Sequence, residues 1–125
     1  MQIPSTAAIS TVVLITMSAP SFAAGDAARG AEVFNRCAIC HSMAAAENGI
    51  GPSLHGIIGR KAGTEPNYNF SKAMTASGIV WDDALLKKFL ADPEAAVPGT
   101  KMHSGAVDDP QAIDDLIAYL KQGAK

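Results

Sequence analysis

The first 23 residues, MQIPSTAAISTVVLITMSAPSFA, contain no Asp, Glu, Lys or Arg. They also lack the run of about 20 apolar residues that a membrane-spanning helix needs. Their apolar stretch, Ala7 to Met17, is short and broken by Ser and Thr. The absence of Arg excludes a mitochondrial transit peptide. Ser21 and Ala23 are small residues at the −3 and −1 positions of a cleavage site. This pattern predicts a secretory signal peptide over residues 1–23, although its only positive charge is the α-amino group. A mature single domain of residues 24–125, a periplasmic location and no stable membrane anchor are then expected.

Other absences narrow the class. Basic residues are not in excess: ten Lys and Arg face twelve Asp and Glu, for a net charge of −2, which excludes a nucleic-acid surface. No block of like charge marks a disordered tail, and no internal repeat marks a solenoid. Alternating runs of β-branched residues are missing, so no sheet is expected. The chain has only two cysteines, Cys37 and Cys40, and a bond between them would close too small a loop to brace the fold. A domain of about 100 residues buries a marginal core and gains from a metal or cofactor.

The segments that are present read as helices separated by long loops. Asp26 can cap a helix through ARGAEVFNRCAIC, with Val33, Phe34 and Cys37 on one face. Gly30 lies inside it, where glycine costs about 0.5–1 kcal/mol relative to alanine, and so suggests a close backbone approach. Residues 42–65 lose periodicity and are punctuated by Gly49, Gly51-Pro52, Gly56, Gly59 and Gly63. SKAMTAS forms a short helix stopped by Gly78. Asp82 or Asp83 caps ALLKKFLA, which ends near Asp92-Pro93. A second loop, EAAVPGTKMHSGAV, leads to Asp109-Pro110. The last helix then places Ile113, Leu116, Ile117 and Leu120 on one stripe. The fold class is all-α.

Both cysteines and one of three histidines fall in CAICH, residues 37–41. A thioredoxin-like dithiol belongs at the start of a helix in a βαβ setting, which is missing. Tetrahedral zinc would need His55 and His103, or His41, at spacings unlike those of a zinc finger. Covalent haem attachment explains all three residues: two thiols add across the haem vinyl groups, and the adjacent His41 lies under the iron. The other axial position could fall to Met74, His55, His103 or Met102. Met102 is favoured because PGTKM is a turn-forming loop able to project its methionine inward.

In GDAARGAEVFNRCAICH, GPSLHGIIGRKAG, GIVW, PGTKM and DDLIAYLK the chain from Gly25 to Gln122 resembles a class I cytochrome c. It is similar to mitochondrial cytochrome c and its soluble bacterial relatives, with one residue fewer between His41 and Pro52. The resemblance implies a small fold with crossed terminal helices, short middle helices and long loops wrapping one covalent haem c. It implies thioethers at Cys37 and Cys40, and His41 and Met102 as the iron's axial pair. Pro52 would accept a hydrogen bond from His41, Arg60 and Trp81 would pair with the haem propionates, and Thr100 would close the methionine-side loop. Gly30 and Phe34 would pack against Leu116 and Tyr119.

The implied function is one-electron transport between a redox donor and acceptor docking at the exposed haem edge, by a monomer without enzymatic activity. Two alternatives remain: a module dedicated to one oxidase or dehydrogenase complex, and a gas-binding or peroxidase-like protein with a labile sixth ligand. Departures from the family pattern remove polar groups from the pocket: Phe70 and Phe89 stand in for tyrosines and Met74 for a polar residue. On the surface, Arg36, Lys72 and Lys101 share the haem edge with Glu94, Asp108 and Asp109, which predicts weakly salt-dependent docking.

Overall fold

The computed structural model describes residues 1–5, 7–17 and 25–123. The expected cleavage site at Ser21–Ala23 lies outside the described residues. Among the described residues five helices follow one another: α1 (Ala27–Cys37), α2 (Lys72–Ala76), α3 (Asp83–Ala91), α4 (Pro93–Ala96) and α5 (Pro110–Gln122). Among the described residues there is no sheet, only a single antiparallel bridge between Lys61 and Val80.

Each helix begins where a side chain can satisfy the free N–H groups of its first turn. Asp26 accepts from Ala28 N (2.8 Å) and Arg29 N (3.2 Å). Ser71 Oγ accepts from Met74 N (3.0 Å), and of the two candidates for α3 it is Asp82 that caps, accepting from Leu85 N (2.8 Å). Asp109 accepts from Gln111 N (3.0 Å), with Pro110 at the first helical position. Two stretches differ from expectation. Helix α1 ends at Cys37, so Cys40 and His41 lie on the turn beyond it. The second loop opens with α4, because Asp92 ends α3 and also caps a new turn at Ala95 N (3.1 Å). Pro93, having no N–H to donate, stops one helix and suits the first turn of the next.

Helices α1 and α5 cross at Gly30. A Cβ there would overlap the carbonyl of Asp115 and come within 2.8 Å of Tyr119 Cβ. Beside the crossing, the rings of Phe34 and Tyr119 stand 5.2 Å apart. Gly30 is therefore a contact, which accounts for a residue that weakens the helix locally. Asp115 fastens the joint: it accepts from Asp26 N (2.7 Å), Arg29 Nε (3.1 Å) and Gln111 Nε2 (3.0 Å). These bonds to its charged form lower its pKa to about 2, the backbone bond from Asp26 contributing most.

Leu116, 1% exposed, lies in a core with Phe34, Leu86, Phe89, Leu90, Ile113, Ile117 and Leu120. The described apolar side chains of residues 1–17 take no part in it: Ile9 and Leu14, for example, are exposed.

Candidate functional site

The turn after α1 places the CAICH residues. Cys40 N and His41 N both donate to Cys37 O, at 3.1 and 2.9 Å. One tight turn therefore carries both thiols and the imidazole. Burial pushes the Cys37 thiol above its ordinary pKa, with Arg36 opposing. That is the reverse of the depressed value that activates a redox dithiol. No group of three or more His, Cys, Asp or Glu side chains converges as a metal cage among the described residues.

His41 is held on one side. Its Nδ1–H donates to the Pro52 carbonyl oxygen at 2.7 Å. A carbonyl can only accept, so the proton belongs on Nδ1 and Nε2 keeps its lone pair. Burial lowers the pKa of the ring, so it is neutral near pH 7 and fit to ligate a metal. Gly51 lies against the imidazole, and a Cβ on it would overlap the ring. The Gly51–Pro52 step is itself anchored, since Gly51 N donates to Cys40 O at 2.8 Å and Leu54 N to Ser42 O at 2.8 Å.

Across the fold, Arg60 and Trp81 are joined by their backbones. Trp81 N donates to Arg60 O (3.0 Å), and Gly59 N donates to Trp81 O (2.7 Å). Trp81 is buried, with its ring 5.1 Å from Phe89. Its indole N–H, a donor only, meets no acceptor among the described residues. Arg60 is already engaged by Glu65 and by two loop carbonyls. Thr100 is buried, and its Oγ1 accepts from Met102 N at 3.3 Å. Gly105, at φ +97°, lets the chain turn beside the Met102 methyl, 3.0 Å from where a Cβ would stand.

These pieces surround one cavity of about 490 Å³, inside the range of about 300–1,000 Å³ usual for cofactor sites. Cys37, Cys40, His41, Pro52, Arg60, Trp81, Thr100 and Met102 all line it. Met74, Phe70 and Phe89 line it too, and His103 stands at its rim with its side chain 78% exposed. His55 is not in its wall. The residues present fit a haem: an apolar slot, two thiols on one turn, a neutral imidazole with a free nitrogen, and an indole donor without a partner. Gly51 and Gly105 joined this set only through the structure, as did Glu65 outside the wall, as the partner of Arg60. Glycine next to proline signals a turn in sequence, and nothing local marks Glu65 as the partner of Arg60.

A slot of this kind, with paired cysteines and a histidine on one turn of an all-α domain, defines the class of covalent haem proteins. The cytochrome c family profile matches residues 27–124. Cytochrome c2 of Rhodomicrobium vannielii is 45% identical over 107 residues, covering 85% of this chain and 86% of the relative. Cytochrome c2 iso-1 of Magnetospirillum molischianum is 50% identical over 90 residues, covering 70% and 90%. The solved structure of cytochrome cH from Methylobacterium extorquens superposes with a TM-score of 0.74 at 49% identity, covering 78% of this chain and 99% of that one. The chain belongs to the cytochrome c family. It carries one covalently attached haem c and is a monohaem electron carrier.

Proposed function

We propose that the iron is held between His41 Nε2 and Met102 Sδ in a carrier exported to the periplasm. The observation that carries this reading is the His41–Pro52 hydrogen bond at 2.7 Å, which orients a neutral imidazole in the same cavity that Met102 lines. A bond of that kind fixes the tautomer of a ligating histidine and the plane of its ring. Haem supplies the one-electron ferric–ferrous couple when bound.

The chain's own residues do the rest. Cys37 and Cys40 anchor the ring by thioethers. Pro52 and Gly51 fix His41, while Thr100 and Gly105 brace the loop that presents Met102. Trp81 and the unengaged N–H groups of Arg60 receive the propionates. The apolar wall of Met74, Phe89 and Leu86 excludes water, which limits rearrangement when the charge changes. His41 and Met102 together would hold the iron and leave no coordination position for gas binding or peroxidase chemistry, which suits a carrier better than an enzyme. Donor and acceptor dock where the thioether edge meets the surface, between the exposed Ile39 and Ile50.

Residues 1–23 form a leader that is removed, leaving 24–125 as one monomeric domain. The exposure of Ile9 and Leu14 favours this, since the core forms without them. Among the described residues no helix is long and apolar enough to cross a membrane.

Acid–acetone extraction of the purified protein tests the attachment. Haem is expected to stay with the wild-type polypeptide and to be released from the Cys37→Ala/Cys40→Ala variant. Release from the wild type overturns the reading.

A further inference from the structure

Arg60 and Glu65 form a nearly enclosed ion pair. Glu65 Oε2 lies 2.8 Å from Arg60 Nη1, and the two side chains are only 10% and 15% exposed. The same Nη1 also donates to His55 O (3.2 Å), and Nη2 donates to Ser53 O (2.8 Å). Of the five N–H groups of arginine, three are thereby placed. The Nε–H and one Nη2–H have no acceptor among the described residues. Arg60 lines the haem cavity and Glu65 does not. Its three side-chain hydrogen bonds leave the guanidinium little freedom to move away.

We propose that Glu65 is the positioning residue that sets the charge Arg60 presents to the haem, holding the guanidinium as half of a neutral pair and thereby helping to fix the reduction potential. This rests on the cavity being the haem site. Ferric iron carries one more positive charge than ferrous iron, so a lone guanidinium beside it favours the ferrous form. A carboxylate held 2.8 Å away cancels most of that field. Water and salt cannot substitute for it, because screening is weak where side chains are enclosed. Glu65 also fixes which arginine N–H groups remain for other acceptors, so it acts through Arg60.

The test is an optical redox titration of the holoprotein. Glu65→Gln keeps the size and the hydrogen-bonding capacity of the side chain and removes its charge. It is expected to shift the equilibrium toward the ferrous form by about threefold or more, which is a rise of about 28 mV at about 59 mV per tenfold for one electron. Arg60→Gln is expected to shift it the other way, and the double variant to return close to the wild-type value. Glu65→Asp, which keeps the charge, is expected to restore at least half of the Glu65→Gln shift, so the proposal stands or falls even where Arg60 variants do not fold.

An unchanged potential in Glu65→Gln with the haem spectrum intact overturns the proposal and leaves Glu65 a loop brace. Equal shifts in Glu65→Gln and Glu65→Asp, or single shifts of the same sign, overturn it as well. Wild-type protein lacking covalent haem overturns instead the site reading on which it rests.

Discussion

The α-carbon of Gly51 lies so close to the ring of His41 that any side chain at position 51 would occupy the space of the imidazole. The next residue, Pro52, accepts the histidine's Nδ1–H at 2.7 Å. Two consecutive loop residues thus set the position and the rotation of one ring, one by having no side chain and the other through its carbonyl. Haem ligation by His41, as proposed, would depend on both.

Gly51→Ala is expected to displace the imidazole or the loop. Forcing one extra methyl into a packed site costs about 1–3 kcal/mol, and here the atoms displaced belong to the imidazole proposed to hold the iron. The variant should bind haem covalently and show weakened histidine ligation, seen as a high-spin component in its optical spectrum. A purely low-spin spectrum with wild-type stability would contradict this placement of the ring.

Gly30→Ala is expected to destabilise the protein although alanine is the better helix former. The helix gains about 1 kcal/mol from the exchange. The new methyl meets the Asp115 carbonyl, a backbone group that moves only if α1 and α5 separate. Overpacking costs about 1–3 kcal/mol, so a net loss of up to about 2 kcal/mol remains after the helix gain, read as a fall in the denaturation midpoint. A stabilised variant would show that the helices are not in contact at this point.

Asp115 gives the crossing a pH dependence. Its folded-state pKa is lowered to about 2 from an ordinary 3.8. A depressed carboxylate stabilises the fold above its unfolded pKa, and that stability is lost as pH falls from 3.8 through 2. Asp115→Asn should therefore unfold more easily than the wild type near neutral pH, and the difference should shrink across that acid window. Urea midpoints measured above and below it check the expectation. A difference that stays constant with pH would mean that the charge of Asp115 does not hold the joint.

The surface near the cavity mixes signs. Arg36, Lys72 and Lys101 are exposed, as are Glu94, Asp108 and Asp109. Two of the cations are drawn back toward backbone oxygens: Arg36 Nη2 donates to Ala106 O (2.9 Å) and Lys101 Nζ to Asn69 O (2.6 Å). Exposed charges are screened over about 10 Å at 0.1 M salt, and opposite signs mixed on the surface cancel much of any long-range steering. The rate of electron transfer to a redox partner should change by less than about tenfold between low and physiological ionic strength. A steep fall with added salt would contradict it.

Local chemistry was legible in the sequence wherever one residue decides the outcome. Asp26, Asp109 and the pair Asp82/Asp83 were legible as caps because a cap needs only the two or three residues after it, whereas Ser71, read as the first residue of its helix, turned out to be its cap. CAICH and PGTKM, read from the sequence as haem-binding stretches, come together in space: Cys37, Cys40, His41, Thr100 and Met102 all line the cavity. Helix α4 was hidden because Asp92-Pro93 reads as a stop, and its second use as a start depends on the path of the chain beyond. The bonds of Asp115 to Asp26 and Arg29 join residues 89 and 86 positions apart. No periodicity reports contacts of that length. Glu65 escaped for a different reason: it is only five residues from Arg60, but a loop has no repeat that would place the two side chains together.

The proposal that His41 and Met102 hold the iron is tested most directly by optical redox titration of the holoprotein beside its Met102→Leu and Met74→Leu variants. A reversible one-electron transition is expected, with a weak far-red sulfur-to-iron band in the ferric form. That band should survive in Met74→Leu and disappear in Met102→Leu. A band that persists without Met102, or is absent from the wild type, would contradict it.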